Sequence, residues 1–249
     1  PEGSAQRVLW FSDTVADLNG VSVTVNELAE CARDTHAPLR MAGCLTEREQ
    51  RLPIANKLLR LPCIHETPLP FYNAHTLRFP SLLRSLDTIA EARPDKIVIS
   101  TPGPVGLTAL LAARLLGVRC TGVFHTDFAK QAEEVTGDKH VIDIVGAYTR
   151  WFYARMDEIL VPSRFTLTRL ADEGLDPSRM RLLRRGLDDA FQRVGEQPLL
   201  KAKEQWFREG VPTLLYSGRL GKEKNLDLLV AVFDRLRQEI GRASCRERV

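Results

Sequence analysis

Short apolar runs alternate with longer amphipathic stretches along most of this chain. The runs contain few charged residues and no strict polar alternation, which is typical of strands buried on both faces of a sheet. They are Val8–Phe11, Lys96–Ile99, residues 120–124, Glu158–Val161 and residues 213–217. We therefore predict a sheet built from these strands.

The stretches between the runs have helical periodicity, with apolar residues at i, i+3 or i+4 and i+7. One apolar face is Val21, Val25, Leu28, Ala29 and Ala32, and another is Val141, Ile144, Val145, Tyr148 and Phe152. Ser163 can cap a further helix, whose end Gly174 and Pro177 mark. Strands that alternate with helices need crossover connections, so the order predicts an α/β protein with a parallel sheet covered on both faces.

The alternation stops at residues 186–198, which contain two glycines and a proline. We predict one domain over residues 1–190, a linker over 191–210 and a first strand–helix unit of a second domain over 211–240. That unit carries an apolar stripe, Leu226, Leu229, Val230, Phe233 and Leu236. A lone strand and helix cannot bury such a stripe, so we expect the second domain to be truncated. Residues 241–249 lack periodicity and are predicted to be a non-native tail, or else a charged, frayed terminus.

Composition narrows the function classes. The 35 Lys and Arg residues nearly balance the 32 Asp and Glu residues, giving a net charge of +3. Charges of mixed sign produce no single-sign field, and we expect no nucleic-acid partner. The five cysteines form no C-x-x-C motif, which argues against structural zinc and a disulfide framework and favours a reducing compartment. The longest apolar stretch is about half the length that a membrane span needs.

Ligands of open parallel sheets bind at the carboxyl ends of the strands, so the turns after the runs are the first candidates. Asn19 and Gly20 follow the first run and lead into a helix, whose free N–H groups can face a phosphate or a sugar hydroxyl. His125, Thr126 and Asp127 follow another run. An ordinary turn and a structural histidine remain open alternatives. The loop lacks the G-x-G-x-x-G pattern of dinucleotide sites, and no histidine spacing indicates a metal.

The strongest local signal is the turn over residues 217–225, where two glycines and three cations precede a helix. It contains Gly218, Arg219, Lys224 and Asn225. Such a turn suits a diphosphate whose negative charge grows as it leaves. It is not a Walker loop, because its glycines are too close and Glu223 stands where Ser or Thr is needed. A solvated basic turn is the alternative.

Taken together, these segments resemble glycosyltransferase family 4, whose members are retaining enzymes of GT-B architecture. The segments are residues 19–21, 94–98, 101–106, 124–128, 159–163, 185–188 and 217–225. The His-Thr-Asp form is most similar to the subgroup that includes glycolipid-forming hexosyltransferases. The resemblance implies a Rossmann-like, acceptor-side N-terminal domain followed by the truncated start of a Rossmann-like donor domain. It also implies retaining transfer of a hexose from a nucleoside-diphosphate sugar to a lipid or glycan acceptor, without a cofactor or a metal.

The resemblance also implies roles for single residues. His125 would contact the transferred sugar, Gly20 would lie near the donor phosphate or the acceptor, and Arg219 and Lys224 would bind the donor diphosphate. The further donor or acceptor contacts are Asn19, Thr126, Asp127, Gly218 and Asn225. Members carry a paired-glutamate motif deeper in the second domain, and nothing here occupies that position. We therefore expect this chain alone to be inactive.

Basic and apolar residues interleave over residues 48–60 and again over 71–84. They could rest on an anionic membrane, at the inner face of the cell membrane of an otherwise cytoplasmic protein. An ordinary amphipathic helix packed on the sheet is slightly favoured. Two other functions stay open, a GT-B nucleotide-sugar 2-epimerase and a non-catalytic GT-B-like binding module.

Overall fold

The computed structural model describes residues 6–17, 20–51, 56–69, 72–183, 214, 216–218 and 224–240. The chain divides into two compact units, Pro1–Arg184 and Arg185–Val249. The predicted domain boundary at residue 190, the linker and residues 241–249 lie outside the described residues.

The first unit is built on an eight-stranded sheet with the order β4-β3-β2-β1-β5-β6-β7-β8. The strands are β1 Val8–Phe11, β2 Leu39–Leu45, β3 Leu58–Leu69, β4 Tyr72–Pro80, β5 Lys96–Ile99, β6 Arg119–Val123, β7 Glu158–Val161 and β8 Met180–Leu182. All neighbours pair in parallel except β3 and β4, which are antiparallel. The predicted parallel α/β sheet is thus confirmed.

Helices follow most of the strands. In the first unit they are α1 Gly20–Asp34, α2 Leu82–Glu91, α3 Pro104–Leu116, α4 Phe128–Thr136, α5 Lys139–Tyr153 and α6 Arg164–Asp172. The second unit contains α7, Leu226–Ile240. The cap predicted at Ser163 is confirmed, because its hydroxyl accepts a hydrogen bond from the Thr166 N–H at 3.1 Å. Gly174 follows α6 with a φ of 96°, as expected beyond a helix end.

The core lies on both faces of the sheet, because side chains of each strand alternate between two apolar clusters. Phe11 and Ile99 belong to a cluster that includes Val105 of α3 and Phe152 of α5. Trp10, the neighbour of Phe11, belongs to the other cluster, which includes Val25 of α1. The prediction of strands buried on both faces and covered by helices on both sides is correct for this unit.

The two basic and apolar stretches do not form the amphipathic helix that was slightly favoured. Residues 58–69 are β3 and residues 72–80 are β4, and α2 begins only at Leu82. Pairing with β2 buries Leu58, Leu59 and Leu61, and this tertiary pairing overrides the helical spacing. The sequence reading also missed β2 and β8.

Strand β3 continues past the end of β2. The last pair between them joins Leu45 to Pro62, whereas β3 runs on to Leu69. Residues 63–69 pair instead with β4, forming a two-stranded extension that we call the β-arm (residues 63–69 and 72–80). Because β2 and β3 are parallel, the β-arm projects from the carboxyl edge of the sheet, and β4 packs against α3.

In the second unit, two of the five residues of the strand predicted at residues 213–217 lie outside the described residues, and the other three do not form it. Leu214, Tyr216 and Ser217 are described, and they are exposed and lie in no strand. Helix α7 confirms the predicted helix, and its Leu229, Val230 and Leu236 are exposed.

Candidate functional site

The carboxyl ends of β1, β5, β6 and β7 lie side by side, because these strands are consecutive in the sheet and parallel. The turns that follow them therefore meet at one edge, where ligands of such sheets bind. Both loops predicted in the first unit, the one leading to Gly20 and the one at His125, open on this edge.

His125 lies just after β6 and is half-buried. Its Nε2 is 3.2 Å from the hydroxyl of Ser100, which follows β5. The same hydroxyl accepts a hydrogen bond of 2.6 Å from the indole N–H of Trp10 in β1. Indole can only donate, so the hydroxyl hydrogen of Ser100 can be directed at the His125 nitrogen. Ser100 thus orients the imidazole at the edge of three neighbouring strands.

A buried carboxylate organises the same edge. Asp13, in the β1–α1 loop, accepts hydrogen bonds from the Thr101 hydroxyl at 2.7 Å and from the N–H of Val105 at 2.7 Å. The N–H groups of Gly103 and Gly106 also donate to it, at 3.1 and 3.3 Å. Burial raises the pKa of Asp13, and these hydrogen bonds oppose the rise. The carboxylate satisfies N–H groups that α3 leaves unpaired at its first turn.

Gly20 is the first residue of α1, and it is exposed. A Cβ at this position would meet no atom within 4 Å, so the approach to the helix N-terminus is open. The Gly20 carbonyl accepts a hydrogen bond from the Thr24 hydroxyl at 2.9 Å. Asn19 lies outside the described residues.

Thr126 and Asp127 connect His125 to α4, and both are half-buried. Asp127 is the N-cap of α4, with its carboxylate accepting from the Lys130 N–H at 3.1 Å. The same carboxylate lies 2.9 Å from a guanidinium nitrogen of Arg169 on α6. Its two partners give this side chain a structural role in holding the His125 segment.

The basic turn lies in the second unit. Lys224 and Asn225 directly precede α7 and are exposed, as is Gly218. Asn225 has a φ of 48°, and its carbonyl accepts from the Leu229 N–H at 3.1 Å. Left-handed backbone of this kind is tolerated by asparagine. Arg219 lies outside the described residues.

Comparison with known proteins identifies the family. Residues 18–191 match the model of the family described as Glycosyltransferase Family 4, which is well over half of the 249 residues. The chain belongs to glycosyltransferase family 4.

Two curated relatives of this family-4 chain are each 28% identical to it. A GDP-mannose-dependent alpha-mannosyltransferase of Mycobacterium tuberculosis aligns over 217 residues, 86% of this chain and 56% of the relative. The sulfoquinovosyl transferase SQD2 of Arabidopsis thaliana aligns over 176 residues, 68% of this chain and 33% of the relative. The chain thus spans about half the length of the mannosyltransferase and a third of SQD2.

A solved structure, sucrose-phosphate synthase from Thermosynechococcus elongatus, shares the fold with a TM-score of 0.61. The likeness covers 92% of this chain and 60% of that one at 16% identity. This structural similarity and the mostly parallel sheet show that the family-4 chain has a fold of the GT-B type.

Sequence reasoning missed three polar residues of the candidate site: Asp13, Ser100 and Arg78, whose guanidinium donates to the Asp13 carbonyl at 3.2 Å. The first two had a signal, because each comes within two residues of the end of a buried strand. Arg78 had none, because strand alternation puts it on the face opposite Leu77 and Phe79 and so predicts exposure, whereas its side chain is only 4% exposed. A cation on the buried face of a strand calls for buried anionic partners.

Among the described residues, no three His, Cys, Asp or Glu side chains are placed to hold a metal ion. Within the same part of the chain, every helix is too short or too polar to cross a bilayer.

Proposed function

We propose that the protein containing this chain transfers a hexose from a nucleoside-diphosphate sugar to a lipid or glycan acceptor, with retention of configuration. The observation that carries the proposal is the oriented imidazole of His125, fixed through Ser100 beside the β1–α1 loop in a family-4 chain. Because the chain spans about half of its mannosyltransferase relative, turnover is proposed for the whole protein, and we expect the chain alone to be inactive.

The names of the relatives support a nucleotide-sugar donor. The mycobacterial relatives are named as GDP-mannose-dependent mannosyltransferases, so GDP-mannose is the first donor to test. Another relative is named as a sulfoquinovosyl transferase. The transferase names also favour group transfer over the two alternatives, a 2-epimerase and a non-catalytic binding module.

The proposal assigns ligand contacts to residues of each unit, taken separately. In the first unit His125 binds the transferred sugar, and Asn19 and Gly20 present the start of α1 to the donor phosphate or the acceptor. Thr126 and Asp127 are further donor or acceptor contacts next to His125, and Asp127 also fixes this segment by capping α4. In the second unit Arg219 and Lys224 stabilise the charge of the leaving diphosphate. Gly218 and Asn225 shape the same turn at the N-terminus of α7, which favours an anion.

The test is His125→Ala in the full-length protein, assayed for transfer from GDP-mannose. We expect the rate to fall about 100-fold, as when one donor to a transition-state charge is lost. His140→Ala is the matched control, since His140 is exposed on α5 and is expected to leave the rate unchanged. Equal rates for both variants would contradict the role of His125. Conversion of the donor without an acceptor would identify an epimerase instead.

We propose separately that the protein is cytoplasmic and contacts an anionic membrane at the inner face of the cell membrane. The exposed side chains Arg48, Arg51 and Arg60 are available for it, whereas Arg78 is buried. Co-sedimentation with vesicles tests it, and we expect binding only when anionic lipid is present. Binding that does not depend on lipid charge, or a lack of binding to any vesicle, would contradict the proposed contact with an anionic membrane.

A further inference from the structure

Arg78 lies in the β-arm and is almost completely buried, with 4% of its side chain exposed. Its guanidinium donates to the Asp17 carboxylate at 3.0 Å and to the Glu49 carboxylate at 2.9 Å, with a second, short contact to Glu49. It also donates to the backbone carbonyls of Asp13 and Thr76, both at 3.2 Å. Two of these acceptors, Asp13 and Asp17, belong to the β1–α1 loop.

The charged groups of this cluster stabilise one another, because Arg78 pairs with both Asp17 and Glu49. The Asp17 and Glu49 side chains are only 11% and 19% exposed, so two carboxylates share one cation away from solvent. Burial lowers the pKa of Arg78, but the contacts with Glu49 and Asp17 outweigh it and leave the pKa raised. The planar guanidinium reaches all four acceptors, a geometry that the point charge of lysine cannot reproduce.

The β1–α1 loop is held at two places. On one side the Asp13 carboxylate binds the first turn of α3. On the other side Arg78 binds the Asp13 carbonyl and the Asp17 carboxylate. The Asp17 carbonyl in turn accepts a short hydrogen bond from the hydroxyl of Ser22, in the first turn of α1. A chain of contacts therefore runs from the β-arm through Asp17 to the start of α1.

We propose that Arg78 is a positioning residue, which fixes the β1–α1 loop and so sets where the N-terminus of α1 presents Gly20 to the ligand. The ligand side of this inference rests on the proposed function. Arg78 acts through Asp13 and Asp17. The β-arm thereby becomes part of the site, since its buried cation Arg78 links the edge of the sheet to the loop.

The first experiment needs no ligand and uses amide hydrogen exchange on the chain. In Arg78→Lys we expect amides of residues 13–22 to exchange about 100-fold faster, the change corresponding to a broken buried ion pair. Exchange in β5 and β6 should stay as in the unsubstituted chain. Arg7→Lys is the matched control, because the Arg7–Asp95 pair is exposed and joins the amino ends of β1 and β5.

Two variants separate loop positioning from general stability. Asp17→Asn removes the loop partner of Arg78 and should loosen residues 13–22 as Arg78→Lys does. Glu49→Gln removes the other partner and should lower overall stability while leaving the exchange of the loop close to normal. Unchanged loop exchange in both Arg78→Lys and Asp17→Asn, or a uniform increase over the whole sheet, would overturn the proposal.

The second experiment measures transfer from GDP-mannose by the full-length protein. We expect Arg78→Lys and Asp17→Asn each to lower kcat/KM about tenfold, and the double variant to lower it no further, because both remove one interaction. An active enzyme whose kcat/KM is unaffected by both changes would refute the functional half of the inference. If the unsubstituted protein transfers no sugar, the proposed function fails, and the exchange data still decide whether Arg78 positions the loop.

Discussion

Asp13 acts as a helix cap supplied from a distant loop. The N-cap position of α3 is Gly103, which has no side chain to satisfy the N–H groups of the first turn. The carboxylate of Asp13 takes that place, and a Cβ at Gly103 would lie 2.6 Å from one of its oxygens. Gly103 leaves room for the Asp13 carboxylate, which caps the helix in its place. This contact connects the loop after β1 to the helix after β5.

Gly106 gives the sharpest prediction at this scale. A Cβ there would lie 2.0 Å from the Thr101 carbonyl oxygen, a backbone atom that cannot turn aside. Gly106→Ala should therefore lower the free energy of unfolding by about 1–3 kcal/mol, as overpacking does. Denaturant unfolding measures it. Gly146→Ala is the control, because its Cβ would lie 3.3 Å from the flexible end of Arg150 and in ordinary contact with the Ala129 Cβ, at 3.7 Å. This variant should be neutral or stabilising by up to about 1 kcal/mol. Equal stability of the two variants would contradict this account.

Site residues were predictable where their position followed from local order. His125 and Gly20 could be placed because each follows a recognisable buried run, and strand ends of a parallel sheet share one edge. The partners were not predictable, because they come from far along the chain. Asp13 meets Thr101 across 88 positions and Arg78 meets Asp17 across 61, and no periodicity encodes such pairs.

Among the elements, the β3–β4 pair shows why local spacing misled. Leucines and basic residues recur at helical intervals over residues 48–60, yet Leu58 and Leu59 are buried because they pair with the neighbouring strand β2. The helices α1, α5 and α6 are present as predicted, and the predicted apolar face of α1 packs into the core around Val25. For α5 the predicted face is only partly correct, because Phe152 is buried whereas Ile144 is 68% exposed. A hairpin that leaves the sheet edge has no such internal signature.

The short turn at Glu49 predicts a pH dependence. Thr46 and Glu49 form a capping box, with the Thr46 N–H donating to the Glu49 carboxylate at 3.0 Å and the Glu49 N–H to the Thr46 hydroxyl at 3.2 Å. Burial alone would raise the pKa of Glu49, but the contacts with Arg78 and Thr46 outweigh it, so that the pKa lies below its ordinary value of 4.5. The unfolded chain therefore takes up this proton first as the pH falls.

Stability supplied by Glu49 should be complete above pH 4.5 and should disappear as the pH falls through the lower pKa of the folded state. Urea unfolding of the unsubstituted chain and of Glu49→Gln, followed from neutral pH downwards, measures this. The variant should be the less stable at neutral pH, and the difference should narrow in acid. A difference that stays constant over the whole range would rule out this contribution.

Asp127 is the N-cap residue of α4, and a substitution there can distinguish a structural role of its carboxylate from a ligand contact. Asparagine caps helices about as well as aspartate, so Asp127→Asn keeps the bond to the Lys130 N–H and weakens the pair with Arg169. We expect a loss of about 1 kcal/mol or less in the free energy of unfolding, since the pair is partly exposed. The transfer rate of the full-length protein should change little. A fall in rate as large as that of His125→Ala would instead make the carboxylate a ligand contact.

For the whole molecule, the fold class followed from the sequence because strand and helix alternate over most of the first unit, the exceptions being the run β2–β3–β4 and the pair α4–α5. The family membership shown for residues 18–191 covers the same part. The second unit is different. Its helix α7 was predicted from the apolar stripe. The stripe residues Leu229, Val230 and Leu236 are exposed, and the sequence around them does not indicate which surface they pack against. The roles proposed for the turn before α7 therefore rest on chemistry and on the family.

Lys224 tests those roles. It is exposed and lies directly before α7, where the helix N-terminus already favours an anion. If it stabilises a leaving diphosphate, Lys224→Ala in the full-length protein should lower kcat about 10²–10³-fold, because a charge that develops in the transition state loses one of its cations.

Arg237→Ala is the matched control for Lys224→Ala, because Arg237 is an exposed cation in the last turn of the same helix. Its loss changes the net charge equally but removes no cation from the helix N-terminus, so we expect an unchanged kcat. An equal fall of kcat in both variants would point to a general electrostatic effect. An unchanged kcat in both would contradict the proposed role of Lys224 toward the diphosphate. Transfer of sugar by the 249-residue chain alone would show that the catalytic groups are complete within it, contrary to the proposal.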